Sequence, residues 1–143
     1  VEMSLGVCDE ICMPAVVALS ADLASPGAAD DTIRAALKAG AAPARDAGVS
    51  AVSCQIDPIA DGLRLTARVR LPDPGHPEVV AFETPDRTIW IAESVTQREG
   101  GELVSMTELV PADGAPFALD RSAITMTILA AGAAVEVQGC PAP

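Results

Sequence analysis

The chain has 143 residues, half of them hydrophobic, with nine basic residues against twenty acidic ones and a net charge of −11. That surface repels phosphate backbones and excludes nucleic acid as a partner. With one Trp, two Phe and no Tyr, any core must be built from Val, Ile, Leu and Ala, and no apolar run reaches the ~18 residues a membrane span needs.

Residues 1–25 read as two strands around a cysteine loop. Val1, Met3 and Leu5 alternate with Glu2 and Ser4, the period of a half-buried strand. Gly6 to Met13 interrupts the pattern, and Ala15 to Leu23 resumes a β-rich apolar run. Ser25, Pro26 and Gly27 break it. Residues 26–48 read as a helix and linker. Asp30 or Asp31 can cap the helix, which carries Ile33, Ala36, Leu37 and Lys38, and Gly40 can end it. The Ala-rich stretch to Gly48 is a helix remnant or linker.

Residues 49–143 read as a run of strands. Val52, Cys54 and Ile56 share one face. The turn Asp57 to Gly62 ends on the hairpin signal Asp61-Gly62. In Leu63 to Leu71 the apolar residues point one way, while Arg64, Thr66, Arg68 and Arg70 point the other, the antiparallel signature. The three arginines can pair with carboxylates of a neighbouring strand. Val79 to Phe82 and Thr88 to Val95 form strands around the turn Thr84–Arg87, and Trp90 faces away from Ile89 and Ile91. Gly100-Gly101 closes a hairpin onto Leu103 to Val110. Ala123 to Ala130 and Ala133 to Val137 form the last hairpin. Turn signals every eight to twelve residues argue for a mainly β, antiparallel sandwich with one short helix.

Four cysteines, at 8, 12, 54 and 140, allow three pairings. Cys8 and Cys12 are too close in sequence to be independent, which leaves Cys54 and Cys140 as a long-range pair. One local and one distant pair suit an oxidising compartment. A short ring is easily strained and labile, whereas a long loop gains most from a bridge. Cys8–Cys12 therefore suits redox exchange and Cys54–Cys140 suits stapling. Asp9 and Glu10 disfavour a thiolate, so the local pair suits electron donation better than strong oxidation. Two other readings compete: a structural bridge, and a Cu(I) site from the soft ligands Cys8, Cys12 and Met13. The lone His76 in its Pro-rich loop lacks the partners for zinc or a catalytic triad. No glycine-rich phosphate loop or acid–base pair is evident.

The stretch Gly6-Val7-Cys8-Asp9-Glu10-Ile11-Cys12-Met13-Pro14 resembles the cysteine loop of the N-terminal periplasmic domain of the thiol:disulfide interchange family DsbD, closest to its ScsB-like members. The likeness is strong over residues 1–23 and weaker beyond. It implies an immunoglobulin-like β-domain in the periplasm, as the ectodomain part of a membrane protein. It also implies protein-disulfide reductase activity. The pair Cys8 and Cys12 would exchange electrons with a thioredoxin-like redox protein or a membrane electron-relay domain, with Met13 and Pro14 at the site's rim and no cofactor. The region from Ile33 to Cys140 resembles the second β-domain of ScsB-like members. The strands expected before the cysteine hairpin are absent, so residues 1–25 read as the remnant of a preceding β-domain.

Overall fold

The computed structural model describes residues 1–22 and 26–143. The expected strand end at Leu23 and the break at Ser25 lie outside the described residues. The chain divides into two compact units, Val1–Leu37 and Lys38–Pro143.

The first unit holds an antiparallel hairpin of β1 (Glu2–Cys8) and β2 (Cys12–Ala18). The expected interruption from Gly6 to Met13 shrinks to three residues, Asp9 to Ile11. Both strands run up to the cysteines because Gly6 and Pro14 pair in register with extended backbone. Helix α1 (Asp31–Lys38) follows. Asp30 caps it: its Oδ1 accepts from Thr32 N at 2.7 Å and Ile33 N at 3.1 Å, two of the orphan donors of a first turn. These bonds, Ile33 first, hold the Asp30 carboxyl below its ordinary range. No residue of α1 is buried.

The second unit is a β-sandwich. One sheet has the order β3 (Ala42–Pro43), β11 (Ala133–Gln138), β10 (Thr125–Ala130), β6 (Val79–Glu83). The other has β4 (Ala51–Pro58), β5 (Leu63–Arg70), β9 (Glu102–Pro111), β7 (Ile89–Ile91), with β8 (Val95–Glu99) also on β9. Inward residues of both sheets form one core. Leu65, Ala67 and Val69 of β5 and Leu103 and Leu109 of β9 meet Phe82, Met126, Ile128, Val135 and Val137. The alternation along β5 is realised as expected: Leu65, Ala67 and Val69 are buried and the arginines exposed. Those arginines pair across strands, Arg64 with Glu108 at 2.9 Å and Arg68 with Glu102 at 3.2 Å and Glu99 at 3.4 Å. At such exposed positions the pairs add little to stability, because water screens them.

Three expectations change. The Ala-rich stretch before Gly48 is neither helix nor free linker. Ala42–Pro43 pairs in parallel with β11, and Ala44 and Ala47 pack against the core. Small side chains let the backbone lie close to the sheet edge, and Pro43 is tolerated at an edge because no donor is needed there. Second, Thr84–Arg87 is not a hairpin turn. β6 pairs with β10 and β7 with β9, so the segment crosses between sheets. Third, the strand expected over Thr88 to Val95 is broken. Ile91 faces Leu109 and Val95 faces Met106, so the edge carries one residue more than its partner, the count of a β-bulge. Thr107 Oγ1 donates to Ala92 O at 2.7 Å and fixes the bulge. A hydroxyl chain then runs from Ser105 through Thr96 to Ser94, which donates to Val80 O and so ties β8 to the opposite sheet at β6.

The β4–β5 hairpin forms where Asp61-Gly62 signalled it, but through the four-residue loop Ile59 to Gly62, closed by Ile59 N to Gly62 O at 3.0 Å. Gly62 does not have a positive φ. Its need is steric, because a Cβ there would run into the Leu109 carbonyl of β9. Gly62→Ala should therefore push β9 away and cost about 1–3 kcal/mol in unfolding free energy, as overpacking does. Chemical denaturation checks this, with Gly101→Ala, in open space, as the mild comparison.

Candidate functional site: the hairpin disulfide

All four cysteines are bonded, Cys8 to Cys12 and Cys54 to Cys140. The two bridges differ in exposure and in the length of loop each closes.

Cys8 is the last residue of β1 and Cys12 the first of β2, and they face each other in register, with Cα atoms 4.0 Å apart. Asp9, Glu10 and Ile11 cap the pair, with Asp9 N reaching Ile11 O at 3.4 Å. Both cysteines and all three loop residues are exposed, Ile11 to 79%. Because neighbours along a strand point to opposite faces, the register sorts the hairpin into two. One face carries Cys8, Cys12, Gly6, Pro14, Ser4 and Val16. The other is wholly apolar: Met3, Leu5, Val7, Met13, Ala15 and Val17. Pro14 thus lies on the disulfide's face beside Cys12. Met13, 68% exposed, lies on the other.

Cys54 and Cys140 are completely buried within the sandwich core. Cys54 belongs to β4 and Cys140 follows β11, so the bridge joins the two sheets, with Cα atoms 5.4 Å apart. That spacing suits a disulfide. The surrounding backbone is fully engaged. Cys54 N donates to Pro141 O at 2.7 Å, Cys140 N to Arg121 O at 2.8 Å, and the Arg121 guanidinium to Cys54 O at 2.7 Å.

Among the described residues one further cluster of potential metal ligands exists. Asp73, His76 and Glu78 come together in the loop before β6. Single-residue reading left His76 alone there; acids at −3 and +2 in a tight Pro-rich loop were the missed signal. Glu78 is already committed. Its side chain is 3% exposed and both its oxygens accept from Arg98, on Nε at 2.9 Å and on a terminal nitrogen. Those bonds push the Arg98 guanidinium above its ordinary value. Arg98 also donates to Leu71 O at 3.2 Å. The cluster's geometry is that of a clamp tying the Pro72–Glu78 loop to β8. Trp90 is 62% exposed beside buried Ile89, as the alternation requires.

No family model, curated protein or solved structure matches this chain. What stands is a class: a mainly β chain with a two-sheet sandwich, one buried inter-sheet disulfide and one exposed hairpin disulfide. Among the described residues, no helix is long and apolar enough to cross a membrane. Two disulfides in a chain of this size fit an oxidising, extracytoplasmic setting.

Proposed function

We propose that this chain is a periplasmic thiol–disulfide exchange module whose working centre is Cys8–Cys12. The observation that carries this reading is the contrast between the two bridges. One closes a three-residue loop at an exposed tip, and the other is buried where it staples two sheets. Exchange requires a thiolate to reach a disulfide sulfur, so access decides which bridge takes part.

The cycle moves two electrons. A dithiol donor, of thioredoxin-like type or a membrane relay domain, attacks the pair and leaves Cys8 and Cys12 reduced. The reduced pair then attacks a disulfide of a downstream periplasmic protein and returns to its bonded state. The acidic Asp9 and Glu10 favour thiols over thiolates, which suits a donor of electrons over a strong oxidant. The likeness of residues 6–14 to the DsbD cysteine loop supports the same assignment.

The strand order supports an immunoglobulin-like reading of the sandwich. Lettered from β4, with β7 and β8 as one interrupted strand, the sheets run A-B-E-D and C-F-G, the immunoglobulin arrangement, and β3 adds beside G. The buried disulfide joins A to the end of G, unlike the B–F bridge of antibody domains.

Partial reduction tests the functional reading. The native chain is incubated with dithiothreitol, alkylated and mapped by mass spectrometry. Cys8 and Cys12 should take the label while Cys54 and Cys140 stay joined. Equal resistance of both pairs until the protein unfolds would mark both as structural.

A further inference from the structure

Building on the exchange reading, we propose that Gly6 is a positioning residue: by carrying no side chain, it leaves open the flank of the disulfide along which a protein-borne thiol approaches. Gly6 stands two residues before Cys8 on β1, so the two share a face. A Cβ at Gly6 would sit 3.6 Å from Cys8 Sγ. That is ordinary contact for one carbon, and every atom added beyond it would lie over or beside the sulfur.

The backbone does not explain this glycine. Among the described residues six glycines have positive φ, and Gly6 is not one of them. A glycine inside a strand weakens it and often marks the close approach of another backbone or ligand. Here the group beside it is the disulfide. On the second strand the corresponding same-face neighbour of Cys12 is Pro14, which faces Gly6 across the pair. One flank of the disulfide therefore carries a ring and the other carries nothing.

The step balances. A partner thiolate bonds to one sulfur of the pair, the Cys8–Cys12 bond breaks, and the other cysteine leaves as a thiolate. The partner's second thiol then displaces the first bond. The partner ends as a disulfide, and Cys8 and Cys12 end as thiols, with two electrons and two protons transferred. A small dithiol can reach the sulfurs from any open side. A protein must lay the backbone around its cysteine against the hairpin, and the space at Gly6 receives it.

The test is a series of Gly6→Ala, Gly6→Val and Gly6→Leu in the whole chain. Rates of reduction are measured with dithiothreitol and with reduced thioredoxin as the protein probe, together with the equilibrium potential of the pair. The proposal expects an unchanged potential, a dithiothreitol rate within about threefold of wild type, and a thioredoxin rate that falls stepwise to about a tenth or less at Gly6→Leu. Equal slowing with both reagents, a shifted potential, or no slowing with thioredoxin would overturn it. Gly6→Ala adds one carbon at ordinary contact distance, so if Gly6→Leu misfolds, the trend through Ala and Val decides. Failure of both dithiols to reduce the wild-type pair is a separate result: it would overturn the exchange reading itself.

Discussion

Replacing Cys54 and Cys140 together by alanine should lower the unfolding free energy of the sandwich by about 4–5 kcal/mol, the chain-entropy value for a loop of this length. The two residues are separated by 86 positions and join strands of opposite sheets. Without the bridge, the unfolded chain regains the freedom of nearly the whole second unit. Domains of this size hold only about 5–15 kcal/mol in total, so the loss is a large share. The hydrogen bonds from Arg121 to Cys54 O and from Cys54 N to Pro141 O remain, which keeps the native geometry available to the variant. Replacing Cys8 and Cys12 by serine removes a far smaller ring, in the other unit. It should leave the sandwich transition within about 0.5 kcal/mol of wild type. Urea unfolding of the two double variants makes the comparison, and a larger loss from the hairpin pair would reverse the roles assigned here.

Leu65→Ala should cost about 3 kcal/mol, within the roughly 2–5 kcal/mol seen for buried leucines. Leu65 is fully buried at the middle of β5, between Ile56 of β4 and Thr107 of β9. β5 is flanked on both sides, so neither neighbour can close over the space a shortened side chain leaves. The adjacent Arg64 points to the opposite face and pairs with Glu108 at a half-exposed position. Arg64→Ala should therefore change stability by less than about 1 kcal/mol. A shifted urea midpoint at constant slope distinguishes lost packing in Leu65→Ala from a change in the unfolded state.

Much of the sandwich is legible in residue order because its strands are half-buried. β5 alternates without exception, and the hairpins at Gly100-Gly101 and Ala131-Gly132 carry their own turn chemistry. What fails is information that lives between strands. Thr84–Arg87 has the composition of a turn, and Asp86 does receive Thr88 N at 2.9 Å. Local chemistry sets a reversal or a bend, but not which sheet the next strand joins. The bulge at Ala92–Ser94 exists only relative to β9. Ala42–Pro43 has no hydrophobic period at all, so its pairing with β11 is invisible until β11 is in place.

At the hairpin, the pairing of Cys8 with Cys12 follows from their spacing alone. The two faces do not, because a face depends on register. Val7 opposite Met13 and Gly6 opposite Pro14 put the methionine on the apolar side and the glycine beside the sulfur. Met13 and Pro14, which the resemblance places together at the rim, stand on opposite faces of the hairpin.

The central claim is that Cys8–Cys12 exchanges and Cys54–Cys140 does not, and the reduction potential of each pair in one protein tests it. Equilibration in glutathione and dithiothreitol buffers, followed by acid quench and mass mapping, yields both values. Cys8–Cys12 should titrate above about −300 mV, within reach of cellular dithiols, while Cys54–Cys140 stays oxidised below that value. A Cys8–Cys12 potential as low as that of the buried bridge would contradict the account.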